Sequence, residues 1–311
     1  METRTGRSFW EVTSVMQNAI RKGDYEVALY CFWELLPGYT SYLRKRLLVI
    51  SAEDCFGVIT KEIVPLCENE DEESLTKVLS LLCIAKKNRD ADYFVCNLMT
   101  LDNPTGESKE TLSQNLLTAI RQMNVVDAGR YAMELFKTNR KFLWKLLTDM
   151  TKAYYPHLRT EVESLCKAND TVSKPAEETI FAAKAIVLMW TCKEPKERIL
   201  GYETMDFDKL LNPADIPLPK RPDECVRIDG MFPEWAYNWH TYYGKYKLGR
   251  DAVHAIENDQ RLLTPLEENL FDDCTWNRDI NACLLKHNPK NYHLPYDDGK
   301  RDPAEKYAKK E

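Results

Sequence analysis

The residues best suited to chemistry lie in "FPEWAYNWHTYYGKYKLGRDAVHAIENDQRLL", from Phe232 to Leu263. Trp235, Tyr237, Trp239, His240, Tyr242, Tyr243 and Tyr246 interleave there with Lys245, Lys247 and Arg250. Aromatic rings among cations are what a single-stranded nucleic-acid surface uses, because rings stack on bases and cations neutralise phosphates. The candidate contacts are Trp239, His240, Tyr242, Tyr243, Lys245, Tyr246, Lys247 and Arg250. The competing reading is a buried aromatic helix followed by a solvated basic turn, since aromatics at this density favour a core.

Metal and catalytic chemistry find weaker patterns. Cys274, Cys283, His287 and His293 offer four zinc ligands, but C-x8-C-x3-H-x5-H lacks the paired knuckle that pre-forms a structural site. No metal and no other cofactor is expected. His240 could act as a base, yet no Ser or Cys nucleophile is placed beside it by sequence. Asp272-Asp273 and Asp297-Asp298 are adjacent pairs, which point apart on regular structure. No nuclease or hydrolase pattern survives, and no catalytic residue is assigned.

These residues need a scaffold, and composition indicates its kind. The chain has 311 residues, 44% of them hydrophobic and only 11 glycines, which favours helices over turn-rich β architecture. A net charge of −6 argues against a surface that grips nucleic acid everywhere, though not against a local basic patch. Arg44, Lys45 and Arg46 form one basic cluster, Lys86, Lys87 and Arg89 another, read as solvated helix faces or as contacts to DNA or an acidic partner. Ten Cys without a C-x-x-C pair read as reduced thiols. The opening "METRTGRSFWEV" lacks the apolar core of a signal peptide, and no apolar run is long enough to span a bilayer. A cytoplasmic protein without membrane association is the expectation.

Helical spacing is clear at Val12, Val15, Met16, Ala19 and Ile20, then at Val27, Ala28, Cys31 and Leu35, then at Leu43, Leu47 and Ile50. Gly23-Asp24 reads as the end of one helix and the cap of the next. Pro37-Gly38 reads as a break between the second helix and the third. Further helices are predicted over about 57–68, 73–87 and 90–99, and "LDNPTGES" as a linker. The pattern then returns at an offset of 100: Ala19-Ile20-Arg21 meets Ala119-Ile120-Arg121, Ala28 meets Ala128, and Glu34-Leu35 meets Glu134-Leu135. Leu43, Lys45 and Leu47 meet Leu143, Lys145 and Leu147. A period this long is not a solenoid unit and suggests duplication of a small helical domain. The predicted organisation is all-α, with helical repeats over 8–100 and 108–205 and an extension over 206–311.

One stretch carries a family resemblance. Ile20-Arg21-Lys22-Gly23-Asp24, Ala28-Leu29-Tyr30, Leu35-Leu36, Leu43-Arg44-Lys45-Arg46-Leu47 and Ser51-Ala52-Glu53-Asp54 resemble the C-terminal helical region of the replication-associated recombination protein A family, which includes the Werner-helicase-interacting ATPases. The match covers about forty residues of the first repeat; the second keeps its skeleton. The segment "HTYYGKYKLG" also looks like one near the end of some relatives. In that family the region is the collar that assembles tetramers of a clamp-loader-like ATPase, and its third helix is arginine-rich, which adds Arg44 and Lys45 to the candidate DNA contacts. The chain has no G-x-x-x-x-G-K-[ST] loop, so no ATPase activity is expected.

The resemblance therefore implies a non-catalytic accessory or assembly factor in DNA replication, recombination or repair, with a phage or mobile element as a candidate source. Its partners would be proteins, a clamp-loader-like ATPase among them, and single-stranded DNA. Two joined collar units would satisfy each other's surfaces, giving a monomer or dimer rather than a tetramer. The competing classes are an enzyme with a site around His240 and an interaction scaffold unrelated to DNA.

Overall fold

Phe9–Lys22 form helix α1, and its apolar positions Val12, Val15, Met16, Ala19 and Ile20 are all fully buried. Gly23 ends it in the left-handed region at φ 74°, its N–H donating to the carbonyls of Ala19 and Ile20. Only glycine takes that conformation without strain. Asp24 then caps α2 (Tyr25–Asp54) by accepting from the Val27 N–H at 3.1 Å.

The computed structural model describes residues 1–55, 59–69, 71–85, 87–95, 105–122, 124–172, 179–191, 227–238, 241–249 and 252–253. Within them follow α3 (Ile59–Glu68), α4 (Glu72–Ile84), α5 (Asp90–Phe94), α6 (Lys109–Gln122), α7 (Val125–Tyr154), α8 (Arg159–Val172) and α9 (Thr179–Thr191). Two 3-10 turns, at Pro156–Leu158 and Glu234–Ala236, and a π-helical turn at Gly244–Leu248 complete the order. The described residues form no sheet, only the isolated bridges Glu2–Ser8 and Cys55–Lys87. The all-α expectation holds. No helix among the described residues is long and apolar enough to cross a membrane.

The expected break at Pro37-Gly38 is met one residue on, where two helical stretches join across a kink at Tyr39. The non-helical residue is Tyr39 (φ −135°, ψ 27°), after which helix resumes; α7 kinks at Asn139 with no proline inside it, so proline alone does not set the kink.

The second half follows the first closely in local detail. α6 and α7 have the lengths of α1 and α2, 14 and 30 residues. Asn124 caps α7 as Asp24 caps α2, and α7 bends at Asn139 as α2 bends at Tyr39. A further correspondence escapes the sequence reading. Glu34 accepts from Thr5 through N (3.1 Å) and Oγ1 (2.8 Å), and Glu134 accepts from Thr105 through N (2.8 Å) and Oγ1 (2.9 Å). Each threonine precedes a positive-φ glycine, Gly6 and Gly106. Burial opposes ionisation of Glu34, but hydrogen bonds from Thr3 and Thr5 outweigh it and hold the carboxyl below its ordinary range.

Packing runs in parallel as well. α2 lies on α1, α3 and α4, and α7 lies on α6, α8 and α9. The two sets meet where α3 packs on α8, where α2 packs on α8 and α9, and where α5 packs on α9. α9 has no polar stripe; Ile180 to Trp190 are buried throughout, as expected of a helix surrounded by others. Trp190 meets Phe94 edge-on at 4.9 Å. One continuous core links both halves and takes in Phe232, Ala236 and Tyr237. Lys184 on α9 is 1% exposed, and its Nζ donates to the Cys55 carbonyl at 2.6 Å. Its charge sits at the negative end of the α2 dipole, where a cation is favoured.

Candidate functional site

The motif residues that carry the family resemblance converge. Arg21 leaves the last turn of α1 and places Nε 2.6 Å from Asp54 Oδ1 and a terminal nitrogen 3.0 Å from Glu53 Oε1. Gln17, one turn earlier on the same face, donates to Asp54 Oδ2 at 2.6 Å. Arg89, just before α5, brings Nε to 3.2 Å from Asp54 Oδ1 and also pairs with Asp92. Arg46 reaches back to Gln17 and lies 4.0 Å from Glu53. The Asp54 side chain is completely buried. Burial works against its ionisation, but the Arg21 and Arg89 guanidiniums, with hydrogen bonds from Arg21 and Gln17, hold it below its ordinary range. Glu53 goes the other way, raised by burial and by Asp54 and Asp92.

Three cations and three carboxylates therefore close on one another and tie α1, α2 and α5 together. Charges used this way position helices; they offer no free acid or base. At an offset of 100, Tyr154 stands where Asp54 does, and Arg121 lies over its ring at 5.2 Å. The second half thus exchanges the ionic network for a cation–π contact.

The aromatic-basic segment divides into an inner and an outer part. Tyr237 is 1% exposed, its hydroxyl accepts from the Phe232 N–H at 2.9 Å, and Tyr243 leans against its ring at 4.5 Å. Arg7 lies over Phe232 at 4.6 Å and donates to the Ile228 carbonyl at 2.6 Å, and Lys22 covers Trp235 at 4.0 Å. These contacts pin the segment to α1 and the residues just before it, so Trp235, Tyr237 and Tyr243 serve packing. Tyr242 is 56% exposed and stacks on Tyr246 at 5.1 Å, with Lys245 over the Tyr246 ring and Lys247 exposed. That outer group is what remains of the candidate nucleic-acid surface. Trp239, His240 and Arg250 lie outside the described residues, as do Cys274, Cys283, His287 and His293. Arg44 and Lys45 are both half-buried on α2, on the far side of the kink.

Gly244 fixes the inner part. A Cβ there would come within 2.1 Å of the Asn238 carbonyl oxygen, a backbone atom that has no easy way to yield. Gly244→Ala is expected to cost about 1–3 kcal/mol, as overpacking does, and to loosen 227–249 in hydrogen exchange. Gly38→Ala, with open space around it, serves as the neutral control. Equal exchange in the two variants would contradict this packing.

A second site, which the sequence reading missed, lies where α3 meets α8. A pocket of about 440 Å³ is lined by Lys61, Glu62, Pro65, His157, Thr160, Glu161 and Ser164. Glu161 is 2% exposed, no side chain hydrogen-bonds either carboxylate oxygen, and the donor beside the carboxyl is the Lys61 backbone N–H, outside good hydrogen-bond geometry. Burial pushes its carboxyl up to about 8, against the pull of Lys61 and Lys184. The signal was available: Glu161 sits on the apolar stripe of Leu158, Leu165, Ala168 and Val172, where a charge is out of place. Among the described residues no group of three His, Cys, Asp or Glu side chains could hold a metal.

Compared with protein-family models, with curated proteins and with solved structures, the chain gives no match.

Proposed function

We propose that this protein is a non-catalytic assembly factor built from two collar-like helical units, acting with a clamp-loader-like ATPase in DNA replication, recombination or repair. The observation that carries the reading is the fate of the motif residues. Arg21, Arg46, Glu53 and Asp54 are consumed in a buried network that sets the angle between α1 and α2. A motif retained for helix geometry suits a scaffold. The matching caps, kinks and glutamate clamps of α1–α2 and α6–α7 support duplication as its origin. On this reading the chain is a monomer or dimer, its two halves covering each other through α3 and α8.

DNA contact falls to Tyr242, Tyr246, Lys245 and Lys247. One exposed ring stack contributes about 1–3 kcal/mol per base, and the acidic net charge opposes binding, so affinity is micromolar at best. A labelled single-stranded oligonucleotide should shift in fluorescence anisotropy at low salt and be released as salt rises. Joint replacement of Lys245, Lys247 and Arg250 by Ala should abolish the shift with helical circular dichroism unchanged. No shift for the wild type at low salt would remove DNA contact from the reading.

A further inference from the structure

We propose that the pocket between α3 and α8 is a binding site for an alkylammonium group, which completes the unpartnered carboxyl of Glu161. Three observations converge. The first is the cavity itself, whose volume of about 440 Å³ is within the range of ligand sites. The second is that Glu161 forms part of its lining while no side chain hydrogen-bonds its oxygens, the Lys61 backbone N–H standing beside them out of good geometry. A buried polar atom left unpaired costs free energy, and native chains keep few of them. The third is the charge around it. Glu62 adds a second carboxylate to the wall, and the one lining lysine, Lys61, lies 3.9 Å from Glu62. Lys184 faces Glu161 from α9 but is held by the Cys55 carbonyl. An anion would meet the Glu62 carboxylate with its neighbouring Lys61 already paired, and the described residues offer no metal cage. An organic cation with several N–H donors fits both limits, and the hydroxyls of Thr160 and Ser164 and the His157 ring supply polar contacts at the mouth.

The Glu161 oxygens are cut off from solvent, so the ligand engages them through rotation about the terminal carboxyl torsion, which is broad. Binding then has a chemical signature. Burial raises the carboxyl to about 8 in the empty pocket, and an ammonium beside it favours the carboxylate. The proton passes to buffer as the cation enters, and charge balances: one cation bound, one proton released. The source is either a free polyamine or a lysine side chain of a partner protein, and the shared chemistry is the ammonium. The site does not depend on the assembly reading above.

Isothermal titration of the full chain at pH 7 tests this with n-butylammonium, spermidine and a lysine-containing peptide, each in two buffers of different ionisation enthalpy. The expected result is saturable binding of n-butylammonium with close to one proton released per site, and at least tenfold weaker binding to Glu161→Gln. Spermidine binding more tightly than the peptide assigns a free polyamine; the reverse assigns a partner's lysine. Absence of heat with all three probes, uptake without proton release, or equal affinity in Glu161→Gln overturns the proposal. The proton count is read on the wild type, so the test stands even if the variant folds poorly.

Discussion

Asp54→Ala is expected to lower folding stability by about 3–5 kcal/mol, the range for breaking a buried ion pair from one side. The loss is large because Arg21 and Arg89 both converge on this carboxylate, and Gln17 donates to it as well. Removing Asp54 brings two guanidiniums together with one carboxylate fewer, Glu53 remaining on Arg21 and Asp92 on Arg89. Against a total stability of about 5–15 kcal/mol, the variant should be close to unfolding at physiological temperature. Arg121→Ala is the internal control. Its partner is the Tyr154 ring, which is 46% exposed, so the expected loss is about 1 kcal/mol or less. Denaturant midpoints with unchanged slope measure both. Similar losses in the two variants would mean that the network does not organise the first half. The sign with pH follows from the depressed Asp54 carboxyl. Its stabilisation is present above the ordinary carboxylate range and is lost as pH falls through the folded value.

The largest pH effect belongs to Glu161, and its sign is opposite. An ordinary glutamate titrates near 4.5, and burial raises this one to about 8. Below pH 4.5 both folded and unfolded chains hold the proton, and Glu161 has no linkage effect. Between pH 4.5 and 8 the unfolded chain loses it while the folded chain keeps it, so stability declines across that window and is lowest above it. Linkage puts the whole effect at on the order of 4–5 kcal/mol as an upper bound. The charges that face Glu161 are Lys61 and Glu62 from α3 and Lys184 from α9, with His157 at the pocket mouth. Glu161→Gln should flatten this decline. Its advantage over wild type should grow steadily from pH 5 to pH 9, as read by thermal melts in matched buffers. Parallel curves for the two proteins would show that Glu161 is ionised or solvated in the folded state. The comparison rests on the slope because the Gln amide is itself left without partners, which adds a constant cost.

Much of this architecture was legible in the linear chain because its determinants are local. α1 and α2 follow from apolar spacing, from a glycine that can adopt positive φ, and from an aspartate that can accept the Val27 N–H. The same reasoning anticipated α6 and α7 and their shared offset. Pro37-Gly38 was legible as a break, met one residue on at Tyr39. Whether a chain turns away or resumes its helix after such a break depends on what packs against the next turn, and Leu43 and Leu47 beyond it are fully buried.

The candidate sites were legible only in outline. Residue type shows that Arg21, Arg46, Glu53 and Asp54 are charged, and helical spacing shows which of them share a face. It does not show that Arg21 meets a carboxylate 33 positions away, so charges that read as solvated became a closed network. In the aromatic segment, Tyr237 and Tyr242 look alike in sequence, yet one is 1% exposed and the other 56%. That difference comes from Arg7, just before α1, and Lys22, at the end of α1, which seize one side of the segment and leave the other to solvent. The sequence by itself determined where helices start and stop, because caps and periodicity act within a few residues. Tertiary structure alone decided which polar groups are partnered, which rings are buried and where a carboxyl is stranded. Burial and pairing are properties of residues far apart in the chain, and only the packing of α3 against α8 brings Glu161 out of water without a partner.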